Sequence, residues 1–221
     1  MSAASTQVEA AAPTRRERKK RATRMALKAA AIDLVAERGL ANVTVEDIAD
    51  AVDVSVRTFF NYFASKEAAV VGDDPERVAE MKAELLGQPA DLCPLEALRR
   101  VLVSRLAAMR EAIGLSGEDD AVWARRLAAV RSQPEVASAY AKHLLVLEAA
   151  LTDALVERAG GDEAVRFDAA VATAAAVGAM RSAASQWGGE GGTEALVRLA
   201  DRAIEMVATG FRAAEPAGAG S

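Results

Sequence analysis

The chain has 221 residues, room for one ordinary domain or two small ones, and 52% of them are hydrophobic, enough for a packed core. That excludes a wholly disordered protein. A single cysteine, Cys93, excludes an intramolecular disulfide. With the single histidine, His143, it falls short of the roughly three or four ligands of a zinc site. A Ser-His-Asp or Cys-His hydrolase would hang entirely on His143.

Aromatic residues make up only 4% of the chain, which suits closely packed helices better than a sheet sandwich. No apolar run approaches the roughly 20 residues of a membrane span, and no secretory signal is visible, so a soluble, cytoplasmic protein is expected. The net charge of -5 is unevenly spread: residues 1–70 carry eleven Lys/Arg against nine Asp/Glu, and the remainder sixteen against twenty-three. Arg15, Arg16, Arg18, Lys19, Lys20, Arg21 and Arg24 are offset locally only by Glu17. Such a cluster is either a solvated tail or a phosphate-contacting arm, since screening confines each charge to about 10 Å at 0.1 M salt.

In chain order, residues 1–13 are small and polar and are expected to be disordered. Thr14 and Glu17 have capping-box spacing and open a helix that carries the basic cluster. Its apolar face is Leu27, Ala30, Ala31, Leu34 and Val35, and Gly39 stops it. Thr44 caps a second, short helix with Val45, Ile48, Ala49 and Val52 inward, Glu46 and Asp47 suiting the positive end of its dipole. Asp53 and Val54 break the pattern. Ser55 caps a third helix with Phe59 and Phe63 on its buried face, and Ser65 caps a fourth that begins with Lys66 and Glu67. Short helices with a three-to-four-residue turn between the second and third make a helix-turn-helix unit.

Beyond residue 70 the helices lengthen. Pro75 restarts the chain after Gly72, and a helix is expected from Pro94 to about Ile113 with Leu95, Leu98, Leu102 and Leu106 inward. Gly114 to Asp120 is expected as a loop in which the Asp119-Asp120 pair is solvated. A helix holding Val122, Trp123, Leu127 and Val130 ends near Gln133, and Pro134 starts another that runs to about Ala159. Two more are expected over Asp162 to Trp187 and Thr193 to Phe211, joined by a flexible linker at Gly188–Gly192. No strand is needed.

The segment TVEDIADAVDVSVRTFFNYFASKE, opening at Thr44 and preceded by AAxxLVAERG, resembles the DNA-binding domain of TetR-family transcriptional regulators. The features that carry the resemblance are Ile48-Ala49, Val54-Ser55, Thr58, Phe59-Phe60, Tyr62-Phe63 and Ser65-Lys66-Glu67. Together they cover roughly residues 15–70, about a quarter of the chain. One departure is Asp53, in a turn where the family usually has glycine; Asp tolerates the left-handed conformation better than most residues.

The resemblance implies an all-α protein: a three-helix helix-turn-helix domain over 14–70, an effector-binding and dimerisation domain over 71–212, and a loose tail over 213–221. It implies a homodimeric repressor, without cofactor or membrane contact, released from palindromic double-stranded DNA by a small-molecule effector. The third helix would read the major groove, with Val56 and Arg57 facing base edges. Thr58, Asn61 and Tyr62 would meet phosphates and neighbouring bases, Ser55 would cap or contact, and Phe60 would be core or touch the backbone. Thr44 and Lys66 would meet phosphates at helix starts. Arg15, Arg16, Lys19 and Lys20 would follow the backbone or enter the minor groove.

The last two long helices would form the dimer interface through the small-residue run Ala169–Ala179 and through Leu196, Leu199, Ala203, Met206 and Gly210. An effector pocket is expected among Met109, Trp123, Leu127, Tyr140, His143, Leu144 and Met180, with Met81, Leu85, Leu102 and Phe167 as further lining. Few aromatics favour an aliphatic or mixed effector, and the Phe-Phe after Thr58 resembles a branch in which some members sense acyl-coenzyme A thioesters. Two rivals stand beside this reading: an enzyme using the helical C-terminal pocket, and a ligand-insensitive architectural DNA binder.

Overall fold

A computed structural model describes residues 14–72, 74–113 and 117–210. The chain runs α1 (Arg15–Arg38), a 3-10 turn (Leu40–Asn42), α2 (Val45–Asp50), α3 (Val56–Phe60), α4 (Lys66–Val71), α5 (Pro75–Leu86) and α6 (Pro94–Ile113). It continues with α7 (Gly117–Arg131), α8 (Pro134–Arg158), a second 3-10 turn (Glu163–Val165), α9 (Arg166–Trp187) and α10 (Gly192–Thr209). The described residues contain no strand, and none of their helices is long and apolar enough to cross a membrane.

The N-terminal helices begin and end where their side chains dictate. Gly39 takes φ 76° after α1, a conformation that strains any residue with a β-carbon. Thr44 caps α2 by accepting from the N–H of Asp47, and the Asp47 carboxylate accepts in return from the N–H of Thr44 at 2.8 Å. Ser55 and Ser65 accept from the N–H groups of Thr58 and Ala68. In the turn between α2 and α3, Asp53 sits at φ 54°, the only non-glycine with positive φ among the described residues.

Two apolar clusters hold the molecule together. One packs Leu27, Ile32 and Val35 of α1 against Ile48, Phe59, Phe63 and Val70, and extends without a break to Trp123, Leu127 and Val130 of α7. The other joins α5, α6, α8, α9 and α10 through Leu85, Leu98, Leu102, Leu151, Val177 and Ile204. The helix-turn-helix unit is therefore seated on α7 by shared core.

Two expected loops differ. Asp120 is not solvated: it lies within α7, 8% exposed, and accepts from the backbone N–H and the hydroxyl of Thr193 at 2.9 and 2.8 Å. It caps α10 from another helix, which sequence-local rules cannot see. The Gly188–Gly192 segment is a packed turn, not a flexible linker. Gly189 lies at φ 87° with the Arg125 backbone so close that a β-carbon would fall 2.5 Å from Arg125 Cα. The Trp187 indole N–H locks the turn by donating to the carbonyls of Glu190 and Gly192 at 3.1 and 2.9 Å. Residues 1–13, Phe211 and the 213–221 tail lie outside the described residues, as do residues 114–116.

Candidate functional site

The first region is the outer face of α3. Phe59 and Phe63 are fully or nearly fully buried and anchor the helix. Their neighbours point the other way: Arg57 and Asn61 are exposed, and Val56, Thr58 and Tyr62 are half-buried. Phe60 is 54% exposed, edge-on to Phe59 with ring centroids 5.6 Å apart, so it belongs to the outer face and not to the core. The Ser55 and Thr58 hydroxyls lie 2.8 Å apart and satisfy one another at the start of the helix. An exposed guanidinium at this position offers a two-pronged donor of the kind that matches guanine O6 and N7.

The flanking cations divide into two groups. Arg15, Arg16 and Lys19 are exposed. Lys20 is instead paired with Glu76 and Arg21 with Glu80 at 2.6 Å, so the inner half of the cluster ties α1 to α5. Arg24 completes the tie. It meets Asp74 at 3.2 Å and stacks over Phe63 and Tyr62, 4.8 and 5.9 Å from their ring centroids. Lys66 is also engaged internally: its ammonium donates to the carbonyls of Leu40 and Val43, both at 2.8 Å. Thr44 is exposed and committed to Asp47, whose carboxyl is held below its usual range by the Thr44 N–H, then by the Thr44 hydroxyl.

The second region is a cavity of about 130 Å³ at the seam between the helix-turn-helix unit and the remaining helices. Met109, Leu127, Tyr140, His143, Leu144 and Met180 line it together. Trp123 does not; it is packed in the first core. Met81, Leu85 and Leu102 are in the second core, and Phe167, 76% exposed on α9, does not line this cavity either.

Three cations unforeseen in the sequence also line the cavity: Lys28 of α1, Arg77 of α5 and Arg131 of α7. Lys28 lies across Gly72, where a β-carbon would fall 2.5 Å from its Nζ. Burial, then the charges of Arg77 and Arg131, lower its pKa to about 8, and Asp74 opposes them. Its one sequence signal is a lone cation within the apolar stretch ALKAAAIDL.

Arg131 and Tyr140 form a wall between this cavity and an outer cleft of about 590 Å³ that also holds Arg125, Arg181 and Ser185. The Arg131 guanidinium stacks 4.2 Å from the Tyr140 centroid. Just beyond that wall, Gln133 joins the two units. Its amide donates to the Val35 carbonyl at 3.3 Å and accepts from the Leu40 N–H at 3.2 Å.

A third surface is apolar. Phe167 and Val171 of α9 and Leu199 and Met206 of α10 are exposed, with Ala203 half-buried among them. Leu196 departs from this stripe, being 1% exposed in the core.

Residues 27–70 match the family model of bacterial regulatory proteins of the tetR family, and residues 92–212 match the MftR C-terminal domain. The HTH-type transcriptional regulator TcmR of Streptomyces glaucescens is 33% identical over 150 residues, which span 68% of this chain and 66% of that regulator. Among solved structures, the fatty acid degradation regulator FadR from Bacillus halodurans superposes with a TM-score of 0.52 at 20% identity, over 86% of this chain and 96% of that one. FadR from Bacillus subtilis, solved in complex with stearoyl-CoA, gives 0.50 at 18% identity, over 85% and 99%. These two show a common fold. With one family model matching the helix-turn-helix unit and another matching the helical body on which it sits, the chain belongs to the TetR family of transcriptional regulators, which are not enzymes.

Proposed function

We propose that the protein is a homodimeric repressor that binds a palindromic operator and is released from it by a small-molecule effector held at the domain seam. The observation that carries the DNA-binding reading is the outer face of α3: Arg57, Phe60 and Asn61 are presented to solvent by a helix pinned from behind by Phe59 and Phe63. Arg57 and Val56 read base edges, and the exposed Arg15, Arg16 and Lys19 supply sequence-independent attraction to phosphates. Thr44, Ser55, Thr58, Asn61 and Tyr62 position the helix on the backbone, with Phe60 packed against it. Lys66, with two of its three donors taken by carbonyls, contributes its remaining one.

The exposed apolar face of Phe167, Val171, Leu199 and Met206 supports dimerisation through α9 and α10. Two-fold symmetry then places two α3 helices about 34 Å apart, one turn of DNA. The aliphatic cavity walls support an aliphatic or acyl-coenzyme A-like effector, in keeping with the stearoyl-CoA of the Bacillus subtilis FadR complex. Gln133 and the α1–α5 ion pairs would transmit its presence, to the extent that the effector binds one arrangement of the two units better than the other.

The test is selection of bound duplexes from a random pool, then titration of the enriched sequence at two salt concentrations. An inverted repeat is expected, bound far more tightly than a scrambled duplex. Arg57→Ala should weaken specific binding by roughly 10- to 100-fold and relax preference at one base pair. An unenriched pool would overturn the reading.

A further inference from the structure

Among the described residues, the lining of the seam cavity gathers three cations and no carboxylate. Lys28, Arg77 and Arg131 all line it, and among the described residues none of their side chains makes a hydrogen bond or an ion pair. The carboxylates that face them are engaged elsewhere. Asp74 holds Arg24 at 3.2 Å and accepts from the N–H of Glu76 at 3.2 Å. Glu80 holds Arg21 at 2.6 Å and Arg105 at 3.0 Å. Three cations against a mainly aliphatic wall is a costly arrangement, because Lys28 and Arg77 lose hydration without gaining a counter-charge and Arg131 gains only the face of the Tyr140 ring.

We propose that the cavity takes an organic acid on an aliphatic body. Its carboxylate sits at Lys28 with Arg77 and Arg131 around it, and its tail lies along Met109, Leu144 and Met180. The inference rests on reading this cavity as the effector site and adds the class of effector and the residue that reports it. Lys28 belongs to α1, the helix that carries the DNA-binding unit, whereas Arg77 and Arg131 belong to α5 and α7. A carboxylate among them relieves their mutual repulsion only while α1 rests against α5 and α7 as it does here. The ligand therefore favours one placement of the DNA-binding unit over others, which is the differential affinity a switch requires. Gly72 is part of the device: its missing side chain gives Lys28 the room to lie across the end of α4.

The experiment titrates the full chain by calorimetry with octanoate, octan-1-ol and octanoyl-coenzyme A, using wild type, Lys28→Met and Arg77→Gln. The same ligands are added to the protein on its selected operator. Octanoate should bind wild type at least tenfold more tightly than octan-1-ol and shift operator affinity. Lys28→Met should abolish that preference while keeping the alcohol, and Arg77→Gln should reduce it, which covers the case of one variant failing to fold. Equal binding of acid and alcohol, unchanged by Lys28→Met, would overturn the head-group assignment while leaving the cavity as effector site. Tight octanoyl-coenzyme A binding that ignores Lys28 would also overturn it, and would move the anionic contacts to the arginines of the outer cleft. Binding of none of the three, with operator binding intact, would remove both the acid and the cavity reading.

Discussion

The helices α2, α3 and α4 each open on a hydroxyl, Thr44, Ser55 or Ser65, that accepts from an N–H three residues later. Helix α10 opens on Gly191 and Gly192, which have no side chain to offer, and receives its acceptor from Asp120, 73 residues earlier. Both arrangements satisfy the same free N–H groups. They differ in what they fix. A local cap sets where one helix starts, whereas the Asp120 cap also fixes where α10 lies against α7. The DNA-binding unit is thus assembled from self-starting pieces; in the body α5 also starts itself, on Asp74, but α10 is started by another helix.

The largest effect that this difference predicts is in Asp120→Ala. It leaves the Thr193 N–H and hydroxyl without an acceptor at a buried helix start and removes a negative charge from the positive end of α10. A loss of about 3 kcal/mol is expected in urea unfolding, with base preference on DNA unchanged. A loss below about 1 kcal/mol would mean that water replaces the carboxylate and that the α7–α10 junction is no stiffer than a local cap.

Next in size is a substitution at the seam where the two halves meet. In the folded chain Lys28 has its pKa lowered to about 8, from 10.5 in an unfolded chain. The folded state thus gives up the proton first, and the cost of the buried charge is fully present below pH 8. That cost falls as the pH rises from 8 to 10.5, and vanishes above. In the absence of ligand, Lys28→Met should therefore be more stable than wild type by roughly 2–3 kcal/mol at pH 7, with the advantage shrinking across that window. Denaturant titrations at pH 7 and pH 10 would show it. An advantage independent of pH would point to better packing as the cause, not to charge.

How far the sequence discloses the fold follows the distinction between local and distant partners. Gly39, Thr44, Ser55, Ser65, Pro75, Pro94 and Pro134 each mark a boundary within a residue or so of where it falls, because a cap, a left-handed glycine or a first-turn proline acts over three or four residues. The outward set on α3 is legible for a similar reason, since Phe59 and Phe63 fix which side faces inward. What could not be read is what depends on distant chain. Asp120 looks like a loop residue beside Asp119, and Gly188–Gly192 looks like a linker until the Arg125 backbone is seen against Gly189. Lys20 looks like part of a DNA-facing arm until Glu76 is placed beside it. Six of the bulky residues expected at the cavity do line it, but Lys28, Arg77 and Arg131 converge from three helices with no shared motif.

The smallest expected effect is at Thr44, and it isolates the local kind of cap. Thr44→Ala removes the hydroxyl that accepts from the Asp47 N–H at 3.1 Å, but leaves the reciprocal bond from the Thr44 N–H to the Asp47 carboxylate. Half of the capping box survives, so the loss should be about 1 kcal/mol in thermal or urea unfolding, and Thr44→Ser should recover nearly all of it. The hydroxyl already donates to Asp47 Oδ2 at 2.8 Å, so it can reach a phosphate only by giving up that bond. Thr44→Ala should accordingly weaken binding to the inverted repeat and to scrambled DNA by the same small factor. A change in the ratio between them would place Thr44 in base readout, and the start of α2 would then join α3 as part of the reading surface.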